Sequence, residues 1–529
     1  MGREFDSHLG LEQIDVITQK LILRTISSDN VKNVGDLAVL RSLNTFYNRK
    51  FHYIAGLVPC LWHIQYLNRN LWYDEAAVVD NAIRYNILHG RVGLDWLQTI
   101  PLGYFLLVKF FAELPMGLLF LRIISLSALF GSLSIFAFVL NNFRVRKISI
   151  FLFTSFVALG PFIVNYATMV KPYMFDLLFT ALALLVITKE GRHKSIYWLM
   201  LAPLVSSTFL FFSAAIMIFQ MVRSKGRDTK LLVLFIATLC TTYALNNHLV
   251  VSVFKMYYFP DKPMLSFWNI KSTFYQYSSI FARFIDTNQQ DVLWGRLEAL
   301  AAILTIGLIA GFIVRSDLVT DIKVLNLGAI FLIHSLIVFS ANFAMFFPIS
   351  VRLNFPLISL FIFFTILSIS KFNKLMRSAI LTLIASFIVF FFTTAQITEF
   401  GINSNFLARN TSSNKSIWTD LWSGPSTRIF FSNQNQGRIQ TSLAVTDWGE
   451  ITICPQSFGR PTVGDMLVVY IPESISQKPI LNNSVDLVDY SLKIAIYRVT
   501  KNSVFQSSEY YKNEFFCRYR NVNPNYPLG

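Results

Sequence analysis

A chain of 529 residues with 54% hydrophobic side chains, 51 Phe and only 14% charged residues lies outside the balance of a soluble globular protein. Its formal charge of +16 would suit nucleic acid. Most Lys and Arg, however, stand in short clusters between apolar runs, where they read as cytoplasmic anchors of a multispanning membrane protein, so no nucleic-acid partner is expected.

Residues 1–50 carry charges throughout and lack a short apolar core followed by a small-residue cleavage site, which predicts a cytoplasmic N-terminal segment and no cleavable signal peptide. Apolar runs long enough, or nearly so, to cross about 30 Å of hydrocarbon follow near 51–67, 117–140, 148–167, 172–188, 196–221, 230–253, 297–314, 324–346, 351–370 and 376–396. A further run, 101–114, is too short to span and is assigned to the outer interface. The clusters Arg144, Arg146, Lys147; Lys189, Arg192, Lys194; Arg223, Lys225, Arg227, Lys230; Arg315, Lys323; and Lys371, Lys374, Arg377 all face the cytoplasm if the N-terminus is inside, if 101–114 does not cross, and on one further condition. The run 196–221 must fold as two short crossings, broken near Ser206, Ser207 and Ser213. The predicted fold class is therefore an all-α polytopic membrane protein of about eleven spans over 51–396, with outer loops 68–116 and 254–296.

From 397 the composition turns to Asn, Ser, Thr and charge, and "RIFF", "DMLVVYIP" and "LKIAIYRV" read as strands. This predicts a soluble α/β or mostly β domain over 397–529, extracytoplasmic by the same threading. Cys454 and Cys517 fall in this domain, as a disulfide or as two thiols, while Cys60 and Cys240 fall in apolar runs; the four show no metal spacing.

Cations on the outer face oppose the positive-inside trend and need a local reason; Lys109, Lys171, Lys255, Lys262, Arg283 and Arg352 are of this kind. Between them and the first run stands "LWYDEAAVVDNAIRYNIL", 71–88. Read as a helix, it puts Trp72, Ala76, Val79, Ile83 and Ile87 on one stripe and lies flat on the outer surface. Asp74 and Glu75 then sit at its N-terminal end, where the helix dipole favours ionised carboxylates. Spacing alone leaves two readings open, a helix cap and a proton acceptor.

The order of short motifs narrows the choice. W-x-D-E-A at 72–76 is followed by Q-x-x-P-x-G-Y-x-L-L-x-K at 98–109, by Leu121-Arg122 at a span start, and by K-P-Y-x-x-D at 171–176. Over about 50–370 this order resembles the GT-C superfamily of polyprenyl-phosphate-dependent glycosyltransferases, in the branch with protein O-mannosyltransferases and aminoarabinose transferases. "FPISVRLNFPLISL", 347–360, is similar to the family's R-Y-x-x-P-x-x-P stretch, with Arg352 as the cation and Asn354 in place of a more usual residue.

The resemblance implies a GT-C-type membrane domain in a bacterial plasma membrane. It would transfer a sugar, with inversion, from a polyprenyl-phosphate donor to a lipid, glycan or protein acceptor, amid membrane lipids. Asp74 matches the catalytic base and Glu75 would orient the acceptor; Lys171 and Arg352, with Lys109 and Arg122 behind them, would hold the donor phosphate. Gln98, Tyr173 and Asp176 match substrate-positioning places, and Gln98 stands where some relatives carry a charge, which breaks the analogy to their metal site. No cofactor is expected, and a divalent metal is left open. Each cation also has a plainer reading: Lys171 snorkelling from a helix end, Arg122 paired with Glu113, and Lys109 at the edge of an interfacial helix. Two other functions compete, a lipid or sugar transporter and an inactive relative acting in assembly. A transporter predicts internal symmetry and midplane charges, whereas here the unusual charges gather at one face.

Overall fold

The computed structural model describes residues 50–69, 71, 73–84, 100–112, 114, 116–189, 195–245, 273, 321–344, 353–394, 416–420, 427, 439–445, 451–453, 461–470, 485–491 and 494–501. The chain divides into two units, Met1–Ile54 and Ala55–Gly529. Of the first, 50–54 are described, and they are helical.

In the second unit, helical residues 55–61 lead into a 3-10 turn, Trp62–Tyr66. Twelve helices follow among the described residues: α1 (Tyr73–Arg84), α2 (Leu102–Ala112), α3 (Gly117–Asn142), α4 (Lys147–Leu159), α5 (Pro161–Tyr166), α6 (Tyr173–Thr188), α7 (Ile196–Leu199), α8 (Phe209–Arg223), α9 (Thr229–Leu245), α10 (Ile322–Phe343), α11 (Phe355–Lys371) and α12 (Lys374–Thr394). A second 3-10 turn, Ala202–Leu204, separates α7 from α8. Pro356 opens α11 in its first turn, where the missing N–H has no helical partner to lose.

By length and composition α3 and α10 can cross a membrane. At 1.5 Å per residue they reach about 39 and 33 Å, against about 30 Å of hydrocarbon. The apolar helices α2, α4, α6, α8 and α11 are shorter, so the described structure is mostly helical with two candidate spans, a coarser outcome than eleven. Ile322, Leu325, Leu332 and Leu336 form an exposed apolar stripe along α10. Water penalises such a stripe and lipid does not, which agrees with membrane association.

Contacts fix the helix directions. Ser125 Oγ donates to the Met169 carbonyl at 2.9 Å, and farther along a Cβ on Gly131 would lie 3.2 Å from Leu178, so α3 and α6 run parallel. Thr208, just before α8, donates to Asp176 in the first turn of α6; at the opposite ends, Lys189 and Arg223 line one cavity with Lys323. Thus α8 runs parallel to α6, and α10 runs against both. Phe355 meets Tyr173, with ring centroids 6.4 Å apart, and starts α11 at the same level as α6. The described basic residues Lys189, Arg223, Lys323 and Lys371 therefore gather at one end, and Asp74, Lys171 and Tyr173 at the other.

The run 196–221 breaks as expected near Ser206 and Ser207, but Ser213 lies inside α8, where its hydroxyl donates to the Leu199 carbonyl at 3.1 Å. The return from Lys189 to Thr208 is made by α7 and the 3-10 turn rather than by one continuous helix. Gly103 lets α2 approach that turn: a Cβ there would stand 2.9 Å from the Leu204 carbonyl oxygen.

The C-terminal part forms a six-stranded mixed sheet from β1 (Ile417–Asp420), β2 (Ile439–Val445), β3 (Ile451–Ile453), β4 (Met466–Tyr470), β5 (Val485–Ser491) and β6 (Ile494–Val499), in the order β3-β2-β1-β4-β6-β5. The runs "DMLVVYIP" and "LKIAIYRV" supply β4 and β6, whereas "RIFF" lies outside the described residues, as do Cys454 and Cys517. β1 pairs parallel with β2 and β4, and the outer pairs are antiparallel. Met466 to Val469 are buried without alternation, as in a central strand covered on both faces. Asp465 pins the sheet's lower edge: it accepts from the Thr462 N–H at 2.8 Å, the Ser416 N–H at 3.2 Å and the Trp418 indole at 3.1 Å.

Candidate active site

The site is built where the first turn of α1 meets the segment that joins α5 to α6. Asp74 and Glu75 are consecutive and diverge to different partners. Asp74 Oδ1 lies 3.4 Å from Lys171 Nζ, with both side chains about nine-tenths buried. Glu75 is wholly buried. Its Oε1 accepts the Val170 N–H at 2.8 Å and lies 3.8 Å from Arg122 Nη2, and its Oε2 lies 3.5 Å from Arg69 Nη2. One carboxylate thus fixes the backbone at 170 while its neighbour meets the side chain at 171.

The two arginines tie this junction to the first helix end. Arg122, in the second turn of α3, donates to the Leu67 carbonyl at 2.9 Å and to the Arg69 carbonyl. Arg69 donates to the Asn165 carbonyl at 3.2 Å. The separations from Glu75 to the guanidinium groups are ion-pair rather than hydrogen-bond distances, so Coulomb attraction carries them and the N–H of Val170 supplies the directional bond. Among the described residues Arg69, Arg122 and Lys171 face Asp74 and Glu75, and a small part of Asp74 reaches the surface.

The expected one-stripe surface helix is corrected here. Every residue from Asp74 to Ala82 is buried, and Ile83, placed on the apolar stripe, is 42% exposed. The cause is tertiary: Val78, Val79 and Ala82 pack into a core with Ile100, Tyr104, Phe105 and Val108 of and before α2, with Leu121, and with Val170, while the charged cluster encloses the first turn. Asn81 meets burial by donating to the Ala77 carbonyl one turn back, at 2.7 Å. Tyr104 is wedged in the same core, and burial first, then the Glu75 carboxylate, pushes its phenol well above its ordinary value. It remains a neutral hydroxyl in the physiological range.

Of the residues expected in the site, Asp74, Glu75, Lys171 and Arg122 come together. Arg122 pairs with Glu75, and Glu113, its anticipated partner, lies outside the described residues. Tyr173 follows at the start of α6, edge-on to Tyr166 with centroids 5.0 Å apart. Asp176, one turn on, is buried and accepts from Thr208. Lys109 is not part of the cluster: it donates to the Ala82 carbonyl at 3.1 Å, about 12 Å along α1 from Asp74. Arg352 and Gln98 lie outside the described residues. The residue missed by sequence reasoning is Arg69; its signal was the same misplaced positive charge on the outer side of the first apolar run. Among the described residues no group of three or more His, Cys, Asp or Glu is placed to hold a metal. No family model, no curated protein and no solved structure matches the chain.

Proposed function

We propose that the chain is a membrane glycosyltransferase that moves a sugar from a polyprenyl-phosphate carrier to an acceptor hydroxyl at the extracytoplasmic face. The observation that carries this reading is the Asp74–Lys171 pair, a carboxylate and an ammonium 3.4 Å apart and nearly buried, which would serve as proton acceptor and anion ligand. Lys171 turns to the donor phosphate when the carrier enters, and Asp74 is released to accept the hydrogen of the acceptor hydroxyl. The hydroxyl oxygen then attacks the anomeric carbon from the face opposite the phosphate. The bond to the phosphate oxygen breaks, its electron pair leaves with the polyprenyl phosphate, and the proton goes to Asp74. The cations of the cluster, Lys171 foremost, stabilise the growing charge in a site of low dielectric. Glu75 acts at one remove, as a positioning residue that holds Arg69, Arg122 and the 170–171 backbone. Arg352 remains a proposed second phosphate ligand.

The gathering of basic helix ends opposite this cluster supports a cytoplasmic assignment for them and an extracytoplasmic one for the site. In this reading the helices belong to an eleven-span bundle in a bacterial plasma membrane, with 196–208 as a short broken crossing, and the C-terminal sheet lies outside. Among the described residues the Lys, Arg, Asp and Glu side chains of α3, α6 and α8 to α12 fall within two turns of a helix end. That favours chemistry at one face over a transport path through mid-depth. The test is transfer of label from radiolabelled polyprenyl-phosphate sugars by the purified full chain in nanodiscs, with membrane fractions as acceptor. Failure of every donor, with the protein folded, removes the reading.

A further inference from the structure

We propose that the basic end of the helical region holds a second site, for the phosphate headgroup of an anionic glycerophospholipid. A cavity of about 190 Å³ opens there between the ends of α6 and α8 and the start of α10. Three elements each turn a cation to it: Lys189 from the residue that ends α6, Arg223 from the last turn of α8 and Lys323 from the first turn of α10. Gln220 and Asn326 add amide groups at the same wall. Asp321, a described carboxylate beside this wall, caps α10 by accepting the Lys323 N–H at 2.9 Å. Carbonyl groups at the ends of α6 and α8 offset part of the cationic charge, and the start of α10 adds to it.

The rest of the lining selects a lipid over a free anion. Ile196, Ile216 and Phe219 add apolar side chains to the lining. Ile322, itself in the lining, is 60% exposed, so apolar surface continues outward from the cavity along α10. A headgroup phosphate satisfies the cations while the acyl chains cover that surface; a soluble phosphate leaves it bare. Lys225, Arg227 and Lys230 lie close by in sequence but are not part of the lining, and they provide an internal control for diffuse charge. The assignment needs only a membrane beside this helix end and is independent of glycosyl transfer.

The test is native mass spectrometry of the full chain in neutral detergent, titrated separately with short-chain phosphatidylglycerol, short-chain phosphatidylcholine and inorganic phosphate. Phosphatidylglycerol is expected to bind about tenfold more tightly than phosphatidylcholine, and the triple variant Lys189→Gln/Arg223→Gln/Lys323→Gln to lose about that factor. The double variant Lys189→Gln/Arg223→Gln changes two exposed side chains only; it should show the same direction with an unchanged unfolding temperature in neutral lipid. The control Lys225→Gln/Arg227→Gln/Lys230→Gln should stay within about twofold of the parent. Equal loss in the control, or equal binding of phosphatidylcholine, overturns the site. Inorganic phosphate binding as tightly as phosphatidylglycerol overturns the lipid assignment.

Discussion

The two ends of the helical region treat positive charge in opposite ways. At one end Arg69, Arg122 and Lys171 are buried against Glu75 and Asp74. At the other, Lys189, Arg223, Lys225, Arg227 and Lys230 are exposed. The difference is desolvation: a cation withdrawn from water needs a carboxylate or carbonyl partner, whereas one left in water at a membrane surface needs none. Numbers of Lys and Arg therefore do not distinguish a site from an anchor. Removing a charge should cost much stability at the first end and little at the second.

The largest effect is expected from Asp74→Asn, which keeps the size and hydrogen-bonding capacity of the side chain and removes its basicity. Transfer by folded protein should fall by about 10²- to 10⁴-fold, the usual loss of a general base, with some drop in melting temperature because the buried Lys171 ammonium loses a carboxylate. Near-normal turnover with a verified donor and acceptor would reduce Asp74 to a first-turn helix acid.

Next comes Glu75→Gln, which leaves two buried guanidinium groups facing a neutral amide. Breaking a buried ion pair from one side costs about 3 to 5 kcal/mol, so unfolding in detergent should shift to clearly lower temperature. A stability unchanged within error would mean that water reaches the cluster and that Glu75 does not organise it.

Lys171→Ala should weaken donor binding by about 1.5 to 3 kcal/mol, the worth of a charge-assisted hydrogen bond. Its effect sharpens the comparison when combined with Asp74→Asn. Residues 3.4 Å apart should not act additively, and a double variant no worse than Asp74→Asn would show that the two serve one step. Strict additivity would separate them.

The smallest effect belongs to the exposed end. Lys225→Gln and Arg227→Gln should each change stability by less than about 0.5 kcal/mol. A cysteine placed at 225 should react with impermeant reagent only from the cytoplasmic side. Reaction from outside would invert the assignment of the two ends and with it the proposed side of transfer.

Local sequence determined a good part of this protein. The apolar composition and its period gave the helical character of the chain, the Asp74-Glu75 pair falls in a first helical turn as the W-x-D-E-A stretch suggested, and the strands β4 and β6 coincide with "DMLVVYIP" and "LKIAIYRV". The break at Ser206 and Ser207 was legible because helix ends are encoded by a few neighbouring residues. Tertiary structure alone decided the rest. It buried Asp74 to Ala82 of α1 and exposed Ile83, carried Lys109 away from Asp74, and brought Arg69 and Arg122 to Glu75. The physical reason is distance along the chain. A helical or strand period is written over a few consecutive residues, whereas the bond from Val170 to Glu75 joins groups 95 residues apart, and such a pairing exists only once the helices between them have packed.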